Sequence, residues 1–167
     1  RLLHVSDLPP GWSTDNSNDS RDSTASDCIT KAKATFKPDA KANADFKKGN
    51  IPSFRTAVGH YATDAAASKN LHSVFDTYIK CGKFSFTSTF TKYSGNIEEM
   101  SFPQVGDELK AFTSSIDTEG VTIGFDVVLF RVKNAIGTII YTDLGTPFID
   151  DVQDVVKRAN MKLQAMA

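Results

Sequence analysis

The sequence predicts an α+β fold: a twisted antiparallel sheet flanked by two long helices, in a single domain over residues 1–167. Three observations carry this. Gly120 to Asp143 reads as two long strands joined by a tight turn at Lys133-Asn134. Two other stretches, Thr63 to Cys81 and the segment after Thr146, each place apolar residues on one stripe at helical spacing. The links between the later strands are too short for parallel crossovers, so those strands are antiparallel neighbours.

The hairpin organises the rest. Along its first strand one face carries Val121, Ile123, Phe125, Val127, Leu129 and then Arg131. This face is apolar for nearly its full length and is expected to face a core. The other carries Thr122, Gly124 and Asp126, then Val128, Phe130 and Val132, so it changes from polar to apolar. The second half should be covered on both sides and the first half on one. Asn134 tolerates the positive φ that tight hairpin turns need. Gly137, in the return strand Ile136 to Tyr141, marks a bulge or a close approach. Asp126 reads as a partly exposed strand carboxylate, because nothing nearby in sequence completes an acid/base pair.

The remaining elements follow in order. Residues 1–12 are an apolar opener, with Leu2, Leu3 and Val5 free to pack and a turn at Asp7-Leu8-Pro9-Pro10-Gly11. Trp12, the one Trp, reads as an anchor for this terminus. Residues 13–27 are almost wholly polar and read as a surface loop. Asn18-Asp19-Ser20 matches a glycosylation sequon, a motif too short to carry weight. Ser26 or Asp27 caps a short helix through Cys28, Ile29 and Ala32. From Lys31 to Arg55, seven basic residues face two acidic ones, which reads as a solvated rim. An extended piece around Ala44-Asp45-Phe46 precedes a turn, and Ser53 to Tyr61 is a strand on which His60 is a wall residue.

Leu71, Val74, Phe75, Tyr78 and Ile79 make the stripe of the first long helix, capped by Thr63 or Asp64 and stopped by Gly82. Lys83 to Thr91 alternates Phe with Ser and Thr as a half-buried strand. Lys92 to Glu108 breaks the pattern, and Leu109 to Ile116 is the next strand. The last helix is expected to be capped by Thr146 with Pro147 at its first position and Asp150 and Asp151 near its positive end. Phe148, Val152, Val155, Ala159, Leu163 and Met166 form its stripe.

Composition excludes several classes. An apolar fraction of 40% is too high for a disordered chain. A net charge of −1, from 19 basic and 20 acidic side chains, lacks the footprint of a nucleic-acid binder. No apolar run approaches the ~20 residues that span a bilayer. The chain begins Arg-Leu-Leu-His, so a signal peptide or lipid-attachment Cys would lie upstream. Two cysteines, Cys28 and Cys81, are too far apart for a redox CxxC motif and have no His/Cys cluster beside them for zinc. In an exported protein an even count favours a disulfide. Adjacent Glu98 and Glu99 point apart and make a poor catalytic pair. No GxSxG elbow, cofactor motif or metal-binding spacing is present.

The opener LLHVSDLPPGW, the amphipathic helix ending in Cys81, the VGDE turn at Val105–Glu108 and the hairpin FRVKNAIGTIIYT with its terminal helix resemble exported proteins of mycobacteria and their relatives. They are similar to the extracellular sensor domains of PknH-type kinases and to LpqN-type lipoproteins. The resemblance implies a PsbP-like α/β sandwich, a place outside the cytoplasm, frequent membrane anchoring and no catalytic centre. In the kinase family the domain holds a cleft and more than one disulfide, whereas this chain has cysteines for one.

The expected function is a non-enzymatic binding or sensing domain at the cell envelope, with no cofactor and no metal. Membrane contact would come only through an anchor outside this sequence. The polar-to-apolar change along the strand nominates Asp126, Phe130, Arg131 and Tyr141 as lining a cleft for a small or lipidic ligand. The competing reading is a strand whose apolar half is simply covered by a helix. A second function is an interaction protein that binds an envelope protein through its basic region and strand edges. A third, hydrolysis, would require a Ser, a His and a carboxylate to assemble in three dimensions.

Overall fold

The computed structural model describes residues 2–16, 26–88 and 90–165. Within these residues lie eight strands, β1 (Ser13–Thr14), β2 (Ala40–Lys47), β3 (Ser53–His60), β4 (Lys83–Ser88), β5 (Thr91–Glu99), β6 (Glu108–Thr118), β7 (Val121–Val132) and β8 (Ala135–Leu144). The α-helices among the described residues are α1 (Asp27–Thr35), α2 (Asp64–Cys81) and α3 (Ile149–Gln164). All strands join one antiparallel sheet in the order β1-β2-β3-β8-β7-β6-β5-β4. The sequon Asn18-Asp19-Ser20, Thr89 and Met166 lie outside the described residues.

Two cores form, one on each sheet face. On one, Leu71, Val74 and Phe75 of α2 pack with Ile97, Phe112, Val127, Leu129 and Ile136, and α1 adds Cys28 and Ile29. On the other, Val152, Val155, Val156, Ala159 and Leu163 of α3 pack with Val128, Phe130, Ile139 and Tyr141, joined by Leu3 and Leu8 of the opener. Cys28 and Cys81 form a disulfide, with their Cα atoms 5.7 Å apart, tying the start of α1 to the end of α2. Thr63 caps α2 by accepting from the Ala66 backbone N–H at 3.1 Å.

The β7–β8 hairpin turns at Lys133-Asn134 as read from sequence, pairing Val132 with Ala135. It is Lys133, however, that takes the positive φ, at 51°. Asn134 instead donates its side-chain amide to the Tyr61 carbonyl and accepts the Tyr61 N–H, locking the turn to the end of β3. Gly137 marks a close approach, since a Cβ there would stand 2.6 Å from Cε2 of the buried Phe130 ring.

The two-sided burial expected for the second half of β7 is present from Val127 to Phe130. In its first half the faces are reversed. Gly124 and Asp126 are buried, while Val121 is exposed and Ile123 and Phe125 are half-buried. The turn leading to α3 causes this: the Gly145 carbonyl and Pro147 ring lie where a Cβ on Gly124 would go. Asp126 is therefore only 3% exposed, not a partly solvated carboxylate.

Three other expectations are corrected. Residues 91–99 are strand β5, in a stretch that reads as irregular. They are mostly polar and bury only Ile97, and ladders to β4 and β6 hold them. Helix α3 begins after Phe148 rather than at Pro147, without a side-chain cap, and Phe148 is 68% exposed instead of joining the buried stripe. Ser13 and Thr14, read as loop, pair with the end of β2, and Val5 is exposed while Leu3 is buried.

Candidate functional site

Strand periodicity builds the site. On β8, Ile139 and Tyr141 point toward α3, and Asp143 follows on the same side where the core ends. Across the sheet Tyr141 pairs with Phe54 of β3 and Asp126 of β7. Phe46, Phe54, Tyr141, Asp126 and Thr113 thus form one row running from β2 to β6. Phe46 and Phe54 stack at 5.0 Å, and Phe54 lies parallel to Tyr141 at 6.3 Å. Trp12 closes this tier edge-on, at 4.9 Å from Phe54 and 6.2 Å from Tyr141.

A cleft of about 500 Å³ opens above the tier. Trp12 and Pro9 of the opener form one wall, and Lys48, Ile51 and Pro52 of the β2–β3 turn form another. Tyr141 and Asp143 lie at its β8 side. Phe148, Asp151, Asp154 and Val155, where α3 starts, complete it. Its lining is aromatic and predominantly acidic, with three carboxylates against one ammonium. Asp154 is also paired with Arg158 at 2.8 Å.

Tyr141 is buried, and among the described residues its hydroxyl has no hydrogen-bond partner. Burial pushes its phenol well above the ordinary value, and Asp151 and Asp143 add to the effect. It therefore remains a protonated donor at any physiological pH. Asp126, beside it in the row, is also pushed up by burial, partly offset by a hydrogen bond with Thr113.

The four residues nominated from sequence do not form one site. Tyr141 lines the cleft, and Asp126 is its buried neighbour one strand further in. Phe130 is packed in the α3-side core, 1% exposed beneath Gly137. Arg131 points to the opposite face. It donates to Glu108 through Nε and Nη2 at 3.0 and 2.8 Å and to the Lys133 carbonyl at 2.7 Å. Asp107 lies 3.4 Å away and accepts the Lys133 N–H, so Arg131 closes the hairpin turn onto β6.

Glu108 also gathers two α2 side chains. Its Oε2 accepts from the Ser68 hydroxyl at 2.9 Å and lies 3.2 Å from His72 Nε2. Burial alone would raise this carboxyl, but Ser68, Arg131 and His72 outweigh it and hold it below the ordinary value. Serine, histidine and glutamate thus meet, but not as a nucleophilic triad. Ser68 and His72 address the same carboxylate oxygen, so the imidazole is not placed to take the serine proton. Among the described residues no group of His, Cys, Asp and Glu is arranged to hold a metal, and no helix is long and apolar enough to cross a membrane.

Sequence reasoning missed most of the cleft. It read Trp12 as a terminal anchor, Phe148 as core and Asp151 as a partner of the helix dipole. The available signal was the density of carboxylates from Asp143 to Asp154, next to a run whose first aromatic residue does not keep the buried register.

No protein-family model matches the sequence, and no curated protein matches it. Among solved structures, the fold is similar to the extracellular domain of PknH from Mycobacterium tuberculosis, with a TM-score of 0.59 and 11% identity. The match covers 75% of this chain and 64% of that one, so the chain spans a little under two thirds of that domain's length. At this identity the similarity establishes a shared fold, built from a different sequence.

Proposed function

We propose that this chain is a non-enzymatic binding or sensing domain working outside the cytoplasm at the cell envelope. It follows the PsbP-like plan of the sensor domains and LpqN-type lipoproteins that its sequence resembles. The observation that carries the reading is the cleft, with its aromatic tier and the largely solvated Phe148 at its edge. Aromatic rings with a few polar groups beside them suit a small or lipidic ligand. The Cys28–Cys81 disulfide supports an oxidising compartment. The net charge of −1 offers no basic footprint for nucleic acid.

A thermal-shift screen against envelope lipids and glycans tests this. A ligand present at about 100 times its Kd adds about 2.7 kcal/mol of stability. For a chain of this size that raises Tm by roughly 5–10 °C. The shift should be lost in Phe148→Ala, which removes an exposed ring and leaves the core intact. No shift with any compound at any concentration contradicts the reading.

One observation favours a second reading, a surface that binds an envelope protein. Among the described residues, strand β1 covers only the Phe46-Lys47 end of β2, and Ala40 to Asn43 are exposed within the basic stretch. Such a stretch suits strand addition by a partner. A salt-sensitive protein retained on immobilised wild-type chain, and lost when Ala42 is replaced by Pro, would favour it.

A further inference from the structure

The charge and hydrogen-bonding pattern of the cleft narrows the class of ligand; this step rests on the ligand-binding reading above. Asp143 comes from β8, and Asp151 and Asp154 from α3. Lys48, from the β2–β3 turn, is the one cationic lining residue. Asp154 is already neutralised by Arg158. Asp143 accepts the Leu144 N–H, and among the described residues neither it nor Asp151 has a cationic side-chain partner. Trp12 and Phe148 both line this cleft, and aromatic rings attract a poorly hydrated ammonium. The Tyr141 hydroxyl is buried and, among the described residues, has no hydrogen-bond partner, and the Asp151 and Asp143 charges act on it.

We propose that the cleft takes an organic ammonium ion that also carries an acceptor oxygen. The rings of Trp12 and Phe148 hold the cation, Asp143 and Asp151 balance its charge, and Tyr141 donates to the oxygen. Reaching that hydroxyl requires a neighbouring cleft side chain to turn aside. An anionic amphiphile meets the carboxylates and is rejected. A neutral one finds the rings without the charge partner.

Trp12 is the only Trp in the chain, so its emission reports on this cleft. The folded protein is titrated with choline, with 3,3-dimethylbutan-1-ol (its uncharged carbon isostere) and with tetramethylammonium, which lacks the oxygen. Choline is expected to bind roughly tenfold tighter than the isostere, the size of one cation–π contact with a partly screened carboxylate. The preference should shrink with salt and approach unity in Asp151→Asn, an exposed first-turn position whose unchanged circular dichroism controls for folding. Choline should also exceed tetramethylammonium, and Tyr141→Phe should remove that difference. An isostere that binds as tightly as choline overturns the cation assignment and leaves the cleft reading standing. Equal binding of choline and tetramethylammonium overturns the role of Tyr141. No Trp12 response to any of the three overturns the proposal, while the lipid and glycan screen judges the cleft separately.

Discussion

Replacing Cys28 and Cys81 together by Ser should cost about 4 kcal/mol. The disulfide joins positions separated by 53 residues. In the chain-entropy treatment a loop of that size loses about 14 cal/mol/K of unfolded-state freedom, which is about 4 kcal/mol at 25 °C. For a chain of this length that lowers Tm by roughly 8–16 °C. The loss should be local as well as global. Helix α1 buries only Ala32 fully, with Cys28 and Ile29 partly packed, so the disulfide is a principal tie to α2. Urea unfolding followed by circular dichroism measures the free energy, with reduced wild-type protein as a second route to the same state. Amide exchange should accelerate most in α1 and least in α3, on the far face of the sheet. A change below about 1 kcal/mol, or equal loss of protection in both helices, would refute the reasoning.

Gly137→Ala should destabilise by about 2–3 kcal/mol in urea unfolding, since its Cβ meets a core ring that has no room to move; Phe130→Leu in the same chain should recover part of the loss. Burial raises the Asp126 carboxyl, so its contribution is full below the ordinary aspartate value and is lost as pH rises through the raised one. Asp126→Asn should therefore increase Tm at pH 7, with the gain disappearing in acid; a decrease at pH 7 contradicts the assignment. Glu108 runs the other way. Its lowered value gives stability above the ordinary glutamate range that is lost as pH falls through the folded value, so Glu108→Gln should flatten the acid limb of a Tm-against-pH curve. Tyr141→Phe deletes a buried hydroxyl that has no partner among the described residues and should be neutral or stabilising by about 1 kcal/mol; a loss larger than that would mean the hydroxyl is satisfied in the folded state.

Where burial and periodicity coincide, the fold is legible in the sequence. The β7–β8 hairpin, α2 with its Thr63 cap, and the pairing of Cys28 with Cys81 follow from alternation, helical spacing and cysteine count. Strand β5 escapes because hydrogen bonding, not burial, holds it, and a stretch such as Lys92 to Asn96 carries no apolar rhythm. The faces of β7 invert because Gly145 and Pro147, more than twenty residues downstream, cover the side that reads as polar. That covering is a tertiary fact, with no trace within the strand itself. Tyr141, nominated from the sequence as a polar-tipped ring at the end of an apolar run, lies in the cleft lining. Arg131 was misleading for the same kind of reason: it ends the apolar face, but its charge is used up on Asp107, Glu108 and the hairpin turn. Trp12 and Phe148 belong to segments distant in sequence, and only the docking of α3 and the opener over β8 brings them to one cleft.

The central claim is that the cleft over the Trp12–Tyr141 tier is where this domain recognises its ligand. Nuclear magnetic resonance titration of the isotope-labelled protein with an envelope lipid and small-molecule extract tests it most directly. The account predicts shifts concentrated at the Trp12 indole, Tyr141, Asp143, Phe148 and Asp151, with the α2 face silent. Shifts confined to the β2 edge around Ala42, or to the Ser68–His72–Glu108 group, would contradict it.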